Sequence, residues 1–176
     1  MRNAARLIRL AAGLAAALST RRMVAQTPTP APPHSHHHEQ VAERGDHVMG
    51  FDHSKTTHHF TMSDTGGAIA VSANDPSDTA SRDAIRKHLA HEAEKLSSGD
   101  FEDPMTIHDR VPPGSAVLKR DRKKIRWTYG DTPSGGRIVI AASTLEDIDA
   151  VHQFLRFQIE EHGTGDPTEP PAKTKK

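Results

Sequence analysis

The chain states one pattern twice. Phe60-Thr61-Met62-Ser63-Asp64, Gly66-Gly67 and Ile69-Ala70-Val71-Ser72-Ala73 are answered by Trp127-Thr128-Tyr129-Gly130-Asp131, Gly135-Gly136 and Ile138-Val139-Ile140-Ala141-Ala142. Each copy has two alternating runs joined by a glycine-containing turn, which is the signature of a β-hairpin. A helical pattern follows each hairpin, with Asp83-Ala84-Ile85 matching Asp149-Ala150-Val151 and Leu89 matching Leu155. Asp78 or Thr79 is placed to cap the first helix and Thr144 the second, while Gly99 and Gly163 should end them. Neither unit can bury its apolar face alone. Together they predict an α+β fold: two ββα repeats forming a four-stranded, mainly antiparallel sheet with two helices on one face.

The flanks divide the chain. In residues 1–26, Arg2, Arg6 and Arg9 precede an apolar run from Leu10 to Leu18 that is too short to span a bilayer. This predicts a signal peptide on a periplasmic or secreted protein with no permanent membrane span. Residues 27–43 are rich in proline and histidine and read as a disordered linker, with His34 to His38 able to hold soft divalent ions loosely. The folded domain should occupy 44–162, and residues 163–176 have the composition of a solvated tail. Lys plus Arg and Asp plus Glu both number 23, and no basic stripe with interleaved aromatics is present, so nucleic acid is not an expected partner. Cysteine is absent, which excludes disulfides, thiolate metal sites and cysteine nucleophiles. The connection from Phe101 to Lys124 is too long for a turn and is expected to pack on the domain or to serve function.

Histidine is the compositional outlier, with 13 residues. The second repeat serves as an internal control for the first. Matched by residue type, His58 falls opposite Ile125, His88 opposite Phe154 and His91 opposite Phe157, so imidazoles stand where the sister copy keeps apolar side chains. That exchange costs burial energy unless the rings find partners. A transition-metal site of imidazole ligands, for copper or zinc, is one reason for it. The expected ligands are His58, His88 and His91, joined by Met105 and His108 from the long connection, with Asp109 as a carboxylate ligand or an orienter of a histidine. His162, matched to Leu96, ends the second helix on its inner side and approaches the same region. The alternative is that these histidines line a groove and bond to backbone or to Glu92 and Glu94.

His47, Met49, His53 and His59 lie before and within the first strand and read as a polar entry loop, with a second metal contact as the lesser alternative. No nucleophile elbow, phosphate-cradling loop or dinucleotide fingerprint occurs, and no acid-base pair can be named, so the chain reads as a non-enzyme. A metal-dependent hydrolase using Glu92 or Asp109 is a weaker reading. The leading expectation is an exported metal-binding protein that sequesters or passes on its ion. The alternative is a non-catalytic periplasmic module whose uncovered sheet face, with His59, Thr61, Thr128 and Arg137, docks a protein partner.

The runs Gly45-Asp46-His47-Val48-Met49-Gly50-Phe51-Asp52-His53, Thr56-Thr57-His58-His59-Phe60, Met105-Thr106-Ile107-His108-Asp109 and Phe154-Leu155-Arg156-Phe157-Gln158-Ile159-Glu160 resemble a family of uncharacterised exported bacterial proteins. The likeness covers residues 44–166. It implies export and a single domain, and it carries no catalytic residue across.

Overall fold

The computed structural model describes residues 33–172. Helix α1 spans Pro33–Met49 and leads through a 3-10 turn at His53–Lys55 into β1 (Thr56–Ser63) and β2 (Gly66–Ala73). Helix α2 (Thr79–Ser98) follows, then two short helices, α3 (Glu102–His108) and α4 (Ser115–Arg120), which structure the long connection. The second copy is β3 (Arg126–Thr132), β4 (Gly135–Ala141) and α5 (Leu145–His162). The expected α+β fold with a four-stranded antiparallel sheet is present.

Local signals placed the helix ends well. The Asp78 carboxylate caps α2, accepting from Ser81 N at 3.0 Å and Ser81 Oγ at 2.7 Å. Thr144 Oγ1 caps α5, accepting from Asp147 N at 3.1 Å. Gly99 and Gly163 end the two helices in the left-handed conformation, with φ of 85° and 60°, which only glycine adopts without penalty. Asp78→Ala is expected to lower stability by about 1 kcal/mol, read as a shift in urea midpoint with an unchanged slope.

The sheet order is β1-β2-β4-β3, so the two copies meet at the β2/β4 pair. Ile69 lies opposite Ile138 there. These are equivalent residues of the repeat, and a local twofold axis therefore passes between them. The helices are exchanged across that axis: α2 packs on β4 and β3, and α5 packs on β1 and β2. Leu155 sits on Gly67 of the first hairpin and Leu89 on Gly136 of the second. Matched contacts of this kind explain why the second glycine of each pair is needed as well as the turn.

The pairing registers correct the alignment of the first strands. Phe60 pairs with Ile69 and His58 with Val71, while Tyr129 pairs with Ile138 and Trp127 with Ile140. The counterpart of His58 is therefore Trp127, and that of Phe60 is Tyr129, a shift of two residues from the match by residue type. Such a shift preserves the face, because side chains alternate along a strand. His58 still points toward the helices, and its sister residue is still a large, buried apolar side chain.

Two flanks differ from expectation. The stretch read as linker is helical from Pro33 onward, because α1 has a core-facing side: Val41 is 1% exposed and Met49 is buried. His37 and His38 are part of this helix, bonding to Glu161 at 2.7 Å (Nε2 to Oε2) and 2.9 Å (Nδ1 to the main-chain O). Beyond α5 the chain is also tied down. The Asp166 carboxylate accepts the Phe60 N–H at the free edge of β1 at 2.9 Å and meets His59 Nδ1 at 2.9 Å. The expected signal segment 1–26 lies outside the described residues. No described helix is long and apolar enough to cross a membrane.

Candidate functional site

A cavity of about 50 Å³ lies between α2, α5, β1 and α3. Positions one helical turn apart on the two equivalent helices face it: His88, Glu92 and Leu96 from α2, and Phe154, Gln158 and His162 from α5. Their sequence spacing is that of a single helix stripe. The same stripe thus carries an imidazole first on one helix and last on the other, with Glu92 and Gln158 in the matching middle positions. His58 and His108 complete the lining from β1 and α3.

Four imidazoles therefore share one cavity. The rings of His58 and His162 stack with centroids 5.3 Å apart and planes 13° apart. His108 meets His162 edge-on at 5.0 Å, and Phe51 lies 6.0 Å from His58 and 5.7 Å from His88. Two imidazoles bound to one ion at about 2 Å would also have centroids roughly 5 Å apart, so the spacing already suits shared coordination. Orientation does not yet suit it. Stacked planes cannot both contain one ion, and among the described residues only Asp46, Asp52 and His53 bring three ligand atoms within 4.8 Å of one another. Coordination by both rings therefore requires one of them to turn; His162 is the last residue of α5, and Gly163 follows.

Hydrogen bonding separates the four. His108 Nε2 lies 2.9 Å from Gln158 Oε1 and donates to it, which leaves Nδ1 as a buried lone pair with no hydrogen-bond partner, 3.7 Å from Glu161 Oε2. This is how a metal-ligating histidine is oriented. Among the described residues His58, His88 and His162 have no side-chain hydrogen bond at all, so the expected alternative of histidines bonded to backbone or to glutamate does not describe them. Burial is the main cause that holds His58, His88 and His108 down to about 4 and His162 well below its ordinary value. All four are neutral at pH 7, with lone pairs available.

Charge around the cavity is balanced in pairs. Lys95 Nζ meets Asp103 Oδ1 at 2.6 Å; burial pushes the Asp103 carboxyl up, but the lysine more than offsets this and leaves it lowered. Burial, followed by the charge of Asp103, drives Glu92 up to about 8, so Glu92 holds its proton and shares it with Asp103. Its Oε2 is buried without a partner, as is Gln158 Nε2. Buried Glu161 is met by Arg110 and by His37.

Two of the expected ligands lie elsewhere. His91 is exposed, because the stripe 88, 92, 96 faces the cavity and position 91 falls on its outer side. Its counterpart Phe157 is buried only because His108 and Arg110 cover it. Met105 is 40% exposed and borders a surface groove with Phe101 and Val111, since the buried stripe of α3 is Pro104, Ile107 and His108. Asp109 is exposed in a left-handed conformation at the end of α3, and Gln158 orients His108 in its place. His162 and Glu92, already expected near this region, line the cavity, and Gln158 is the addition, at the position of α5 that matches Glu92. Asp46, Asp52 and His53 form a surface loop in which Asp46 accepts from His53 N at 2.7 Å and Asp52 from Ser54 N at 2.8 Å. Loop capping accounts for that group.

No family model, curated protein or solved structure matches the chain. The site is therefore read from its own chemistry.

Proposed function

We propose that this is an exported transition-metal-binding protein that holds copper or zinc among His58, His88, His108 and His162, and that it sequesters or hands on the ion without catalysis. One observation carries the reading: three neutral, largely buried imidazoles without hydrogen bonds line one cavity with a fourth whose free lone pair is oriented by Gln158. Among the described residues His108 Nδ1 is the buried ring nitrogen left without a partner, and an ion shared with the other three rings would supply one. Sequestration fits better than turnover, because Glu92 and Asp103 already share a proton and Glu161 is held by Arg110 and His37, which leaves no free base beside the rings.

Titration of the metal-free full-length chain with copper and with zinc tests this. One ion should bind tighter than micromolar, and His58→Ala combined with His162→Leu should weaken it by about 100-fold or more. The leucine is the residue of the sister helix, Leu96, so the fold tolerates it, as the far-ultraviolet spectrum at pH 7 would verify. His36→Ser, in the first turns of α1, should leave the tight class unchanged. An affinity weaker than micromolar, or one indifferent to the double substitution, would end the proposal.

A further inference from the structure

Copper and zinc make different demands on charge and softness, and the surroundings of the histidines distinguish them. Beside the histidine cavity lies a wider one of about 230 Å³. Met49, His58 and His162 line both, and so form the wall between them. Met49 is the last residue of α1 and is 9% exposed. Its terminal methyl is seated on Gly45, where an added Cβ would lie 2.9 Å from Met49 Cε. Methionine is the most adaptable of core side chains, and this one lines the wall that the two rings share.

Charge points the same way. Imidazole and thioether ligands bring no negative charge, and the ionised carboxylates nearest the cavities, Asp103 and Glu161, are already balanced by Lys95 and Arg110. An ion placed here keeps its full charge within walls that include Phe60, Ile69 and Val71. The desolvation cost grows with the square of the charge, so a divalent ion meets a roughly fourfold larger penalty than a monovalent one. Thioether sulfur is moreover a soft ligand that selects monovalent copper and has little to offer zinc.

Resting on the metal-binding reading above, we propose that the ion is monovalent copper, held at the wall between the two cavities by Met49 Sδ together with His58 and His162. The test is an anaerobic competition titration of the full chain, Met49→Leu and His162→Leu against a copper(I) chelator, with silver(I) as a redox-inert surrogate and zinc(II) in parallel. Met49→Leu conserves volume and should leave the thermal midpoint nearly unchanged. It should weaken copper(I) and silver(I) by about 30-fold or more while zinc(II) stays within about twofold, and His162→Leu should weaken all three. The copper-loaded chain should show a copper–sulfur scattering path in X-ray absorption that Met49→Leu removes; with no cysteine in the chain, that path reports a thioether. Copper(I) binding and sulfur scattering indifferent to Met49→Leu, or zinc bound more tightly than copper(I), would overturn this assignment and leave the histidine site standing. Binding of neither metal tighter than micromolar would remove both.

Discussion

The metal-free protein will be most stable near pH 7 and will unfold as the pH is lowered toward 5. The sign follows from the buried rings. Burial holds His58, His88 and His108 down to about 4 in the fold against 6.5 unfolded, and His162 well below its ordinary value. Between pH 6.5 and 4 the unfolded chain therefore binds protons that the folded chain refuses, and stability falls with each of them. Glu92 acts in the opposite sense, holding a proton in the fold from about 8 downward where the unfolded carboxyl at 4.5 has lost it. Four rings against one carboxyl leave a net of roughly three protons, an upper limit of about 4 kcal/mol per pH unit. A domain stable by roughly 5–15 kcal/mol cannot withstand that slope for long.

Above pH 7 the unfolded rings have lost most of their protons, and Glu92 should lower stability by up to about 1 kcal/mol as the pH rises to 8. Urea midpoints measured from pH 4.5 to 8.5 should trace this asymmetric dome. Glu92→Gln should flatten the alkaline side and steepen the acid side, because the proton that opposes the four rings is then lost. His88→Phe, which installs the sister residue Phe154, should make the acid limb shallower. Equal midpoints at pH 5 and 6.5 would mean that the rings are hydrated and titrate freely in the fold.

The parts of the molecule legible in sequence were those decided by neighbouring residues. Hairpins, caps at Asp78 and Thr144 and stops at Gly99 and Gly163 depend on a few adjacent side chains and emerged as expected. His58 and His88 face the cavity because a residue's face follows from its periodicity, whereas His108 reaches it on α3, a helix within the long connection. Coverage by other elements does not. His91 and Phe157 are equivalent along their helices, yet Phe157 is covered by His108 and Arg110 while His91 faces solvent. Helix α1 escaped notice because its opening composition is poor in helix formers, and tertiary contacts through Val41 and Met49 override that weakness. Residue likeness also misled the first-strand alignment, since setting Phe60 against Trp127 matches Thr61 with Thr128 and Asp64 with Asp131, although the true counterpart of Phe60 is Tyr129. Ladder register is set by the turn, and both hairpins turn through two residues, 64–65 and 133–134.

The exchange of helices across the local axis predicts an asymmetry between two glycines that look interchangeable in sequence. Gly67→Ala is expected to lower stability by about 3 kcal/mol or more, and Gly136→Ala by much less. At Gly67 an added Cβ would lie 2.3 Å from Thr61 O and 2.4 Å from Leu155 Cδ1. The first neighbour is backbone in the adjacent strand, and the second is a fully buried leucine at the centre of α5; neither yields without moving β1 or lifting the helix, and close-packed interiors resist both. At Gly136 the nearest atoms are Tyr129 Cε2 at 2.9 Å and Leu89 Cδ1 at 3.2 Å. Tyr129 is only half-buried on the outer strand, and its ring can swing aside. The same displacement has a consequence for the cavity, because α5 carries Gln158 and His162 on the turns after Leu155. Gly67→Ala protein that still folds should therefore lose metal affinity together with stability, whereas Gly136→Ala should retain it. Equal thermal midpoints for the two variants would mean that α5 is not seated on the first hairpin.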